Sequence, residues 1–235
     1  MREWAGVNQT LITGASQPAG MAVNARHIFW ANNDTIAEAN LDGSEVNLSF
    51  ITGASDTAGV AVNAHHIFWA NRTGTVGNTI GRANLDGTGV NQNFITGANE
   101  PTGVVVNARH IYWLNEGTGT IGRANLDGTG VDQDFITGAN VPAGVVVNAR
   151  HIYWSNSATG TIGRADLDGT GVNQDFITGV GQPVGLVANA RHIYWTNFSA
   201  GTIGRANLDG TGVNQSFITG ASGPIGVAVR TSADG

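Results

Sequence analysis

Short runs of apolar and aromatic residues recur along the chain, separated by turns rich in Gly, Asn and Asp. The clearest run reads His-Ile-Tyr-Trp, and its Trp recurs at intervals of 39, 44, 41 and 41 residues. The five copies of this residue are Trp30, Trp69, Trp113, Trp154 and Trp195. A repeat of this length indicates a propeller or a solenoid.

Each repeat predicts four short strands, named A to D. In the third repeat they are Gly103–Asn107, His110–Asn115, Thr120–Leu126 and Val131–Thr137. Their β-branched and aromatic residues favour strands, and Asp-Gly supplies the C–D turn. Four-stranded units at this spacing are typical of β-propeller blades, which are covered on both faces and need no alternation of apolar and polar residues. We therefore predict an all-β propeller with five complete four-stranded antiparallel blades.

The two ends of the sequence predict one further, incomplete blade. Residues 1–13 contain a D-like strand, five repeats follow over 19–219, and 220–230 contain an A-like strand before the tail 231–235. We interpret 1–235 as one domain. Three closures remain open: five blades with competing ends, a sixth position without B and C strands, or pairing between chains. The second is favoured, with association as a supplement.

The segment Ile193–Gly212, with IYWTN and GTIGRANLDGTG, resembles the YWTD propellers, the class B repeats of the LDL receptor family. The resemblance covers essentially the whole chain and implies protein interaction and a structural role. Where that family has an Asp that helps to bridge blades, this chain has Asn; an amide can donate and accept but carries no charge. These residues are Asn32, Asn71, Asn115, Asn156 and Asn197. Propellers of the NHL and virginiamycin-lyase types are similar in shape, so the resemblance does not specify a ligand.

Composition narrows the functions further. The 235 residues include no Cys, which excludes disulfides, thiolate metal sites and a Cys nucleophile. The net charge is −6 and no Lys-rich patch occurs, which argues against nucleic-acid binding. No apolar stretch approaches 18 residues and no signal peptide is recognisable, so we expect a soluble chain without membrane insertion. The compartment stays open between the bacterial cytoplasm and an extracellular location.

Differences between the repeats predict the functional surface. All length differences lie in the B–C loops, and sequence varies there and in the D–A loops. Strand alternation places these loops at one end of the propeller, which we name the variable face. The A–B and C–D turns, which are nearly unchanged from blade to blade, lie at the other end, which we name the repetitive face. We expect a protein or peptide partner on the variable face, because binding sites concentrate on loops held by a rigid scaffold. The candidate binding residues are Asn33, Asp34, Arg72, Glu100, Glu116, Ser157 and Phe198.

The repetitive face supports an alternative function, a multivalent carbohydrate-binding protein that gains avidity from equivalent sites. The simpler interpretation is that these segments are good turns. The Asp of each N-x-D-G segment lacks the other oxygen ligands of a calcium loop and is interpreted as a turn residue. These residues are Asp42, Asp86, Asp127, Asp168 and Asp209.

The other recurrent polar residues are interpreted as structural. A His starts each B strand, and we expect it to be packed or hydrogen-bonded; the five are His27, His66, His110, His151 and His192. An Arg lies in four C strands, where we expect stacking on Trp or Tyr or pairing across blades; the four are Arg82, Arg123, Arg164 and Arg205, with Glu38 in the first blade. The Trp residues are assigned to the blade core.

No recognised catalytic motif occurs, and the non-repeated acids Asp34, Asp56, Glu100 and Glu116 are scattered over loops. We therefore expect a non-enzymatic scaffold for protein or peptide binding or self-assembly, with no metal or cofactor. Glycan binding and homo-oligomerisation through the incomplete terminal strands are the other partner hypotheses. A lyase or hydrolase of the NHL or virginiamycin-lyase type is the third and least favoured function.

Overall fold

The computed structural model describes residues 10–73 and 77–229, and this part of the chain forms twenty strands in five four-stranded antiparallel sheets. Each sheet is one blade with the strand order A-B-C-D. The A strands are β1 (Pro18–Val23), β5 (Thr57–Val62), β9 (Pro101–Val106), β13 (Pro142–Val147) and β17 (Pro183–Ala188). The B strands are β2 (His27–Asn32), β6 (His66–Asn71), β10 (His110–Asn115), β14 (His151–Asn156) and β18 (His192–Asn197).

The C and D strands complete the blades. The C strands are β3 (Thr35–Asn40), β7 (Thr79–Asn84), β11 (Thr120–Asn125), β15 (Thr161–Asp166) and β19 (Thr202–Asn207). The D strands are β4 (Asn47–Ile51), β8 (Asn91–Thr96), β12 (Asp132–Ile136), β16 (Asn173–Ile177) and β20 (Asn214–Thr219). The predicted fold class is confirmed, with blade count and strand order as expected. Pro101 and its equivalents open the A strands, a position where a missing N–H is tolerated.

Consecutive blades pack face to face through large apolar side chains. Between blades 3 and 4, Tyr112, Ile121 and Ile136 meet Ile152 and Trp154. Each blade thus has a leading face, which carries its Trp toward the preceding blade, and a trailing face, which carries its Tyr or Phe toward the next. Equivalent clusters form between the other three neighbouring pairs. This double coverage explains why the strands lack strict apolar and polar alternation.

The A strands lie closest to the common axis, because those of neighbouring blades contact one another directly. A side chain on Gly59 would meet the backbone of Gly103 and Val104 in the next A strand. Glycine at this position therefore permits the close approach of the A strands. The loops at the two ends of the strands are held outward from this rigid centre.

The first and last blades each keep one face open. On the leading face of blade 1, Met21 is 65% exposed, whereas its equivalent Val60 in blade 2 is 6% exposed. On the trailing face of blade 5, Ile218 is 52% exposed, whereas its equivalent Ile177 in blade 4 is 2% exposed. Strands β17 and β1 do not pack on each other as neighbouring A strands do. The described residues therefore form an open array of five blades.

The terminal segments differ from the predicted strands. Residues 1–9 and 230–235 lie outside the described residues, while residues 10–13 and 220–229 are described and are not in strands. The physical reason is pairing: a D strand needs a C strand beside it and an A strand needs a B strand. In the described part of the chain, neither terminal segment has that neighbour.

The terminal segments nevertheless lie where the missing strands belong. Leu11 contacts Gly43 in the C–D turn of blade 1, as Phe50 of blade 1 contacts Gly87 of blade 2. Thr196 Oγ1 of blade 5 donates to the carbonyl of Ile225 at 3.3 Å. The equivalent Ser155 Oγ of blade 4 donates to the carbonyl of Val184 in β17, the A strand of the next blade, at 3.2 Å. The segment 10–13 thus occupies a D position before blade 1, and 224–229 occupies an A position after blade 5.

Among the described residues, no helix is long and apolar enough to cross a membrane.

Candidate functional site

The variable face is a continuous surface in which the B–C and D–A loops hold one another. The D–A loop between blades 1 and 2 shows the pattern: the amide of Asp56 donates to Asp34 Oδ1 at 2.9 Å. On its other side, Thr73 Oγ1 donates to Asp56 Oδ2 at 2.8 Å, and the amide of Arg72 donates to the Asp56 carbonyl at 3.3 Å. The loop is therefore bound by the B–C loops of both blades that it joins. The predicted placement of these loops at one end is confirmed by these bonds.

The same bonding continues at the next junctions. The amide of Glu116 donates to the Glu100 carbonyl at 3.3 Å. Ser157 Oγ donates to the Val141 carbonyl at 2.8 Å, and the amide of Phe198 donates to the Gln182 carbonyl at 3.2 Å. All seven candidate residues therefore lie in these loops, and they are spread over the four junctions between consecutive blades.

The D–A loops share one backbone conformation although their sequences differ. The residue just before each A strand has a positive φ of 46–53° and is not Gly. These residues are Gln17, Asp56, Glu100, Val141 and Gln182. The left-handed region costs on the order of 1–3 kcal/mol for such residues, so the surrounding hydrogen bonds must fix it. The face thus combines a constant backbone with variable side chains.

The recurrent Asn supports these loops from below. The amide of Asn99, in the loop between blades 2 and 3, donates to Asn115 Oδ1 at 3.0 Å. Asn115 Nδ2 donates to Thr120 Oγ1 at 3.1 Å and to the Gln133 carbonyl at 3.0 Å. The buried amide therefore uses both its acceptor and its donor, and its partners lie in its own blade and in the loop that enters that blade. Its role is to fix the loop that enters its own blade.

The variable face carries an excess of carboxylates. Arg72 and Glu116 form an ion pair of 3.0 Å between the B–C loops of blades 2 and 3, with both side chains partly exposed. Glu100 lies beside this pair, while Asp34 and Asp56 lie at the preceding junction. Asn33 Nδ2 donates to Asp34 Oδ2 at 3.0 Å. The described B–C and D–A loops therefore present four carboxylates and one guanidinium, and the guanidinium is already paired.

The repetitive face contains grooves between blades. One groove of about 740 Å³ lies between blades 4 and 5 and is lined in part by His151, Arg164, Asn189 and Asp209. A second, of about 490 Å³, lies at the corresponding place between blades 1 and 2. The A–B turn of one blade and the C–D turn of the next form the walls of both grooves, so they are repeated features of this face.

The Asp of each C–D turn is a turn residue, as expected. Asp127 Oδ1 accepts from the amide of Thr129 at 2.9 Å and from its hydroxyl at 2.6 Å. These two bonds hold the pKa of Asp127 below its usual value, with a smaller contribution from Arg82 of the preceding blade. The described residues contain no group of three or more His, Asp or Glu side chains placed to bind a metal ion.

The recurrent Arg stacks on an aromatic ring, but the ring differs from the one expected. The Arg123 guanidinium lies 3.9 Å from the ring centroid of Phe135 in the D strand of its own blade, and the other three behave alike. Stacking on Trp or Tyr was the prediction, with pairing across blades as its alternative. Those rings are unavailable because they are buried between blades, whereas the D-strand Phe lies at the outer edge. In blade 1, Glu38 takes the place of Arg and lies 3.2 Å from His27.

The recurrent His is packed against the next aromatic residue of its own strand. The rings of His151 and Tyr153 lie 5.8 Å apart, and His151 Nε2 lies 3.3 Å from Asp166. Burial lowers the pKa of His66, His110 and His151, with help from the Arg of the neighbouring C strand. These contacts agree with the structural role predicted for the His residues.

Sequence reasoning missed a Gln that links blades. Trp154 Nε1 donates to Gln174 Oε1 at 2.9 Å, and Gln174 Nε2 donates to the carbonyl of Thr137 in the preceding blade at 2.8 Å. The signal was present as the recurrent Asn-Gln or Asp-Gln at the start of the D strands. Blade 1 lacks the link because Leu48 takes the place of Gln.

Comparison with known proteins supports the fold. No family model matches the chain, and no curated protein matches it. Several solved structures, in contrast, match the chain. A nidogen/laminin complex aligns with a TM-score of 0.72 at 20% identity, over 83% of this chain and 77% of that chain. A gluconolactonase from Xanthomonas campestris gives 0.70 at 16% identity, over 91% and 80%. Virginiamycin B lyase from Staphylococcus aureus, with quinupristin, gives 0.75 at 17% identity, over 92% and 75%. At these identities the likeness establishes the β-propeller fold alone.

Proposed function

We propose that this chain is a non-enzymatic, YWTD-like propeller scaffold that binds a protein or peptide partner through its variable face. The observation that carries the proposal is the shared D–A backbone, which presents different side chains at each junction. Loops of this kind, held on a rigid sheet scaffold, are where binding residues concentrate. The nidogen/laminin complex is a precedent for a propeller-like structure in a protein complex.

The charge of the face defines the class of partner. The described loops of this face carry one guanidinium, that of Arg72, which is paired with Glu116. They carry four carboxylates, those of Asp34, Asp56, Glu100 and Glu116. A complementary partner carries Lys or Arg, because opposite charges steer association and set specificity. We therefore propose a basic peptide segment as the preferred partner.

The same carboxylates have structural tasks, which favours binding over catalysis. Asp34 and Asp56 accept backbone or hydroxyl hydrogen bonds within the loops, and Glu116 is held by Arg72. Their separation over several junctions argues against a shared reacting centre, because acid–base catalysis needs its groups converging on one substrate. The proposal is therefore a binding function without turnover.

A peptide-display selection with random 12-residue peptides tests the proposal. We expect enrichment of basic peptides whose binding falls on raising the salt concentration, because exposed charge interactions are screened. Glu100→Lys should weaken the selected peptides at least about tenfold, since it reverses charge beside the existing pair. Asp175→Lys is the matched control, because Asp175 is an exposed acid on the outer strand β16.

Two results would contradict the proposal. One is a selection that yields no peptide sensitive to Glu100→Lys. The other is equal weakening by Asp175→Lys, which would mean that overall charge rather than the variable face governs binding.

A second function, multivalent carbohydrate binding, is favoured by one observation. Grooves recur at equivalent places between blades on the repetitive face, and polar side chains such as Arg164 and Asp209 line the larger one. Repeated weak sites gain strength by avidity. A glycan array followed by calorimetric titration tests this function, which requires saturable binding with more than one site per chain.

A further inference from the structure

The array of five blades ends in two apolar faces that the described chain leaves open. Met21 and Val23 are exposed on the leading face of blade 1, and Phe217 and Ile218 are exposed on the trailing face of blade 5. Their equivalents are covered at the four internal blade interfaces. The structure itself therefore shows what covers such faces, namely the side chains of an adjacent blade.

The terminal segments show which positions of that blade the described residues fill. Residues 10–13 lie in the D position beside blade 1, where Ile12 packs against the cluster of Trp30, Ala37 and Ala39. Residues 224–229 lie in the A position beside blade 5, where the Ile225 carbonyl accepts from Thr196. The described residues thus provide the inner and outer strand positions of a sixth blade and leave the B and C positions between them empty.

The A segment also exposes an unused backbone edge. No backbone amide of residues 225–229 donates a hydrogen bond within the part of the chain that the structure describes. In every complete blade this edge pairs with the B strand, as β9 pairs with β10. A bare strand edge is a template for an added strand, and the main-chain bonds supply affinity.

We propose that this sixth position binds an antiparallel β-hairpin from a partner polypeptide, which supplies the missing B and C strands. The site is separate from the variable face, so the proposal goes beyond the function proposed above and does not depend on it. Completion by a hairpin would cover both open faces at once and pair the exposed edge.

The internal blades specify the chemistry of the hairpin. In blade 3, Ile111 and Trp113 of the B strand face the preceding blade, and Tyr112 faces the next. The matching hairpin therefore places two apolar residues, one of them Trp, toward Ile218 and an aromatic residue toward Met21. Its second strand carries Gly or Ala opposite the Trp, because a side chain at Gly122 would crowd the Trp113 indole and blade 1 has Ala37 opposite Trp30.

A second copy of this chain is a poor donor of the hairpin. Its B–C hairpins already carry fully buried residues, including Trp69, Trp113, Trp154 and Trp195. Transfer of one such hairpin to another copy would expose as much apolar surface in the donor as it covers in the acceptor. A whole blade from a second copy does not fit either, because the A and D positions are occupied by the chain's own terminal segments.

A synthetic peptide with the sequence of residues 191–207 is the probe, since it is the chain's own B–C hairpin from blade 5. Its fluorescently labelled form is titrated with the full chain, and native mass spectrometry gives the stoichiometry. We expect saturable binding at one peptide per chain and a higher melting temperature, because a ligand that binds only the folded state stabilises it. The control peptide carries Ile193→Ser and Trp195→Ser.

Two variants of the full chain locate the site. Ile218→Asp should weaken the peptide at least about tenfold, because it places a charge in the apolar contact. Val172→Asp should change binding by no more than about twofold, because Val172 is similarly exposed but lies beside the C–D turn of blade 4. Both positions are exposed, and circular dichroism verifies the fold of each variant.

Three outcomes would overturn the proposal. They are no saturable binding to the folded chain, equal binding of the control peptide, and a stable dimer that excess peptide does not dissociate. The last would identify a second copy as the occupant. None of these outcomes bears on basic peptides at the variable face, so the two proposals fail independently.

Discussion

Trp113 Nε1 donates a hydrogen bond of 2.9 Å to Gln133 Oε1, and Gln133 Nε2 donates one of 2.9 Å to the Thr96 carbonyl of the preceding blade. The same link joins the three other pairs of consecutive blades, through Gln92, Gln174 and Gln215. The core Trp of each of blades 2 to 5 is thus tied to the end of the outer strand of the preceding blade. In blade 1, Trp30 Nε1 is buried without a partner among the described residues.

Gln133→Leu should lower the free energy of unfolding by about 1–3 kcal/mol, because it leaves the Trp113 N–H without an acceptor at a buried interface. Urea denaturation followed by Trp fluorescence measures the change. Asn93→Leu is the control, since Asn93 lies on the same type of strand, β8, and is exposed. A loss equal to that of the control would show that the Gln link contributes nothing.

Leu48→Gln should act in the opposite direction. The new amide would give Trp30 Nε1 an acceptor and reach toward the Thr13 carbonyl, and we expect a gain of about 0.5–1.5 kcal/mol. The same urea experiment checks it. A loss of stability would show instead that the packing of Leu48 against the cluster of Trp30, Ala37 and Ala39 outweighs the hydrogen bonds.

Gly122→Ala should destabilise the chain by about 1–3 kcal/mol, because the added Cβ would overlap the Trp113 indole and overpack the interface. Gly226→Ala is the matched control, as no atom of the described residues lies within 4 Å of its Cβ position. The thermal midpoints of the two variants give the comparison. Equal midpoints would mean that the Trp113 ring moves aside freely, as the Ala37 of blade 1 requires of Trp30.

The blades were predictable from sequence because local chemistry determines them. The B strand His110–Asn115 was predicted to the residue, since aromatic and β-branched residues end there at clear turn signals. The Gln link was not predictable in the same way. Its three partners come from two blades, and a Gln at an exposed strand start gives no local sign of the carbonyl it will reach.

Val141→Gly should stabilise the chain by about 1 kcal/mol. Val141 has φ 47°, a conformation that a β-branched residue adopts only under strain, and the relief exceeds the entropy cost of Gly. Val172→Gly is the control, because Val172 is similarly exposed and its φ is not positive. Differential scanning calorimetry compares the two. Destabilisation by both variants to the same extent would contradict a strained Val141.

Stability should fall as the pH drops below about 6.5, the pKa of His in an unfolded chain. Burial lowers the pKa of His66, His110 and His151 in the folded chain, so the unfolded chain binds their protons more tightly. Their contribution is complete above that pH and is lost below it. Chemical denaturation between pH 7.5 and 5.5 measures the slope.

A triple variant with Gln at these three positions should show a flatter pH dependence over the same range. The comparison is needed because burial raises the pKa of Glu38, which opposes the His effect as the pH falls. An unchanged slope in the triple variant would assign the pH dependence to other groups.

The candidate residues of the variable face were predictable as loop positions but not as a constellation. Loop length and sequence variation identified Arg72 and Glu116, and the structure shows that they form an ion pair across two blades. Ser157 and Phe198 were chosen by the same criterion and lie at other junctions. Variation along a sequence shows where side chains are free to change, whereas their distances depend on the packing of whole blades.

The open array also determines how the chain responds to force and heat. Because β17 and β1 do not pack on each other, the stabilising interfaces between blades form an open linear series instead of a closed ring. Within residues 10–73 and 77–229, blades 1 and 5 each pack against one complete blade, so unfolding can start at either of them. A complete sixth blade would therefore raise the resistance to unfolding, because it would cover the open faces of blades 1 and 5 with two further interfaces and close the ring.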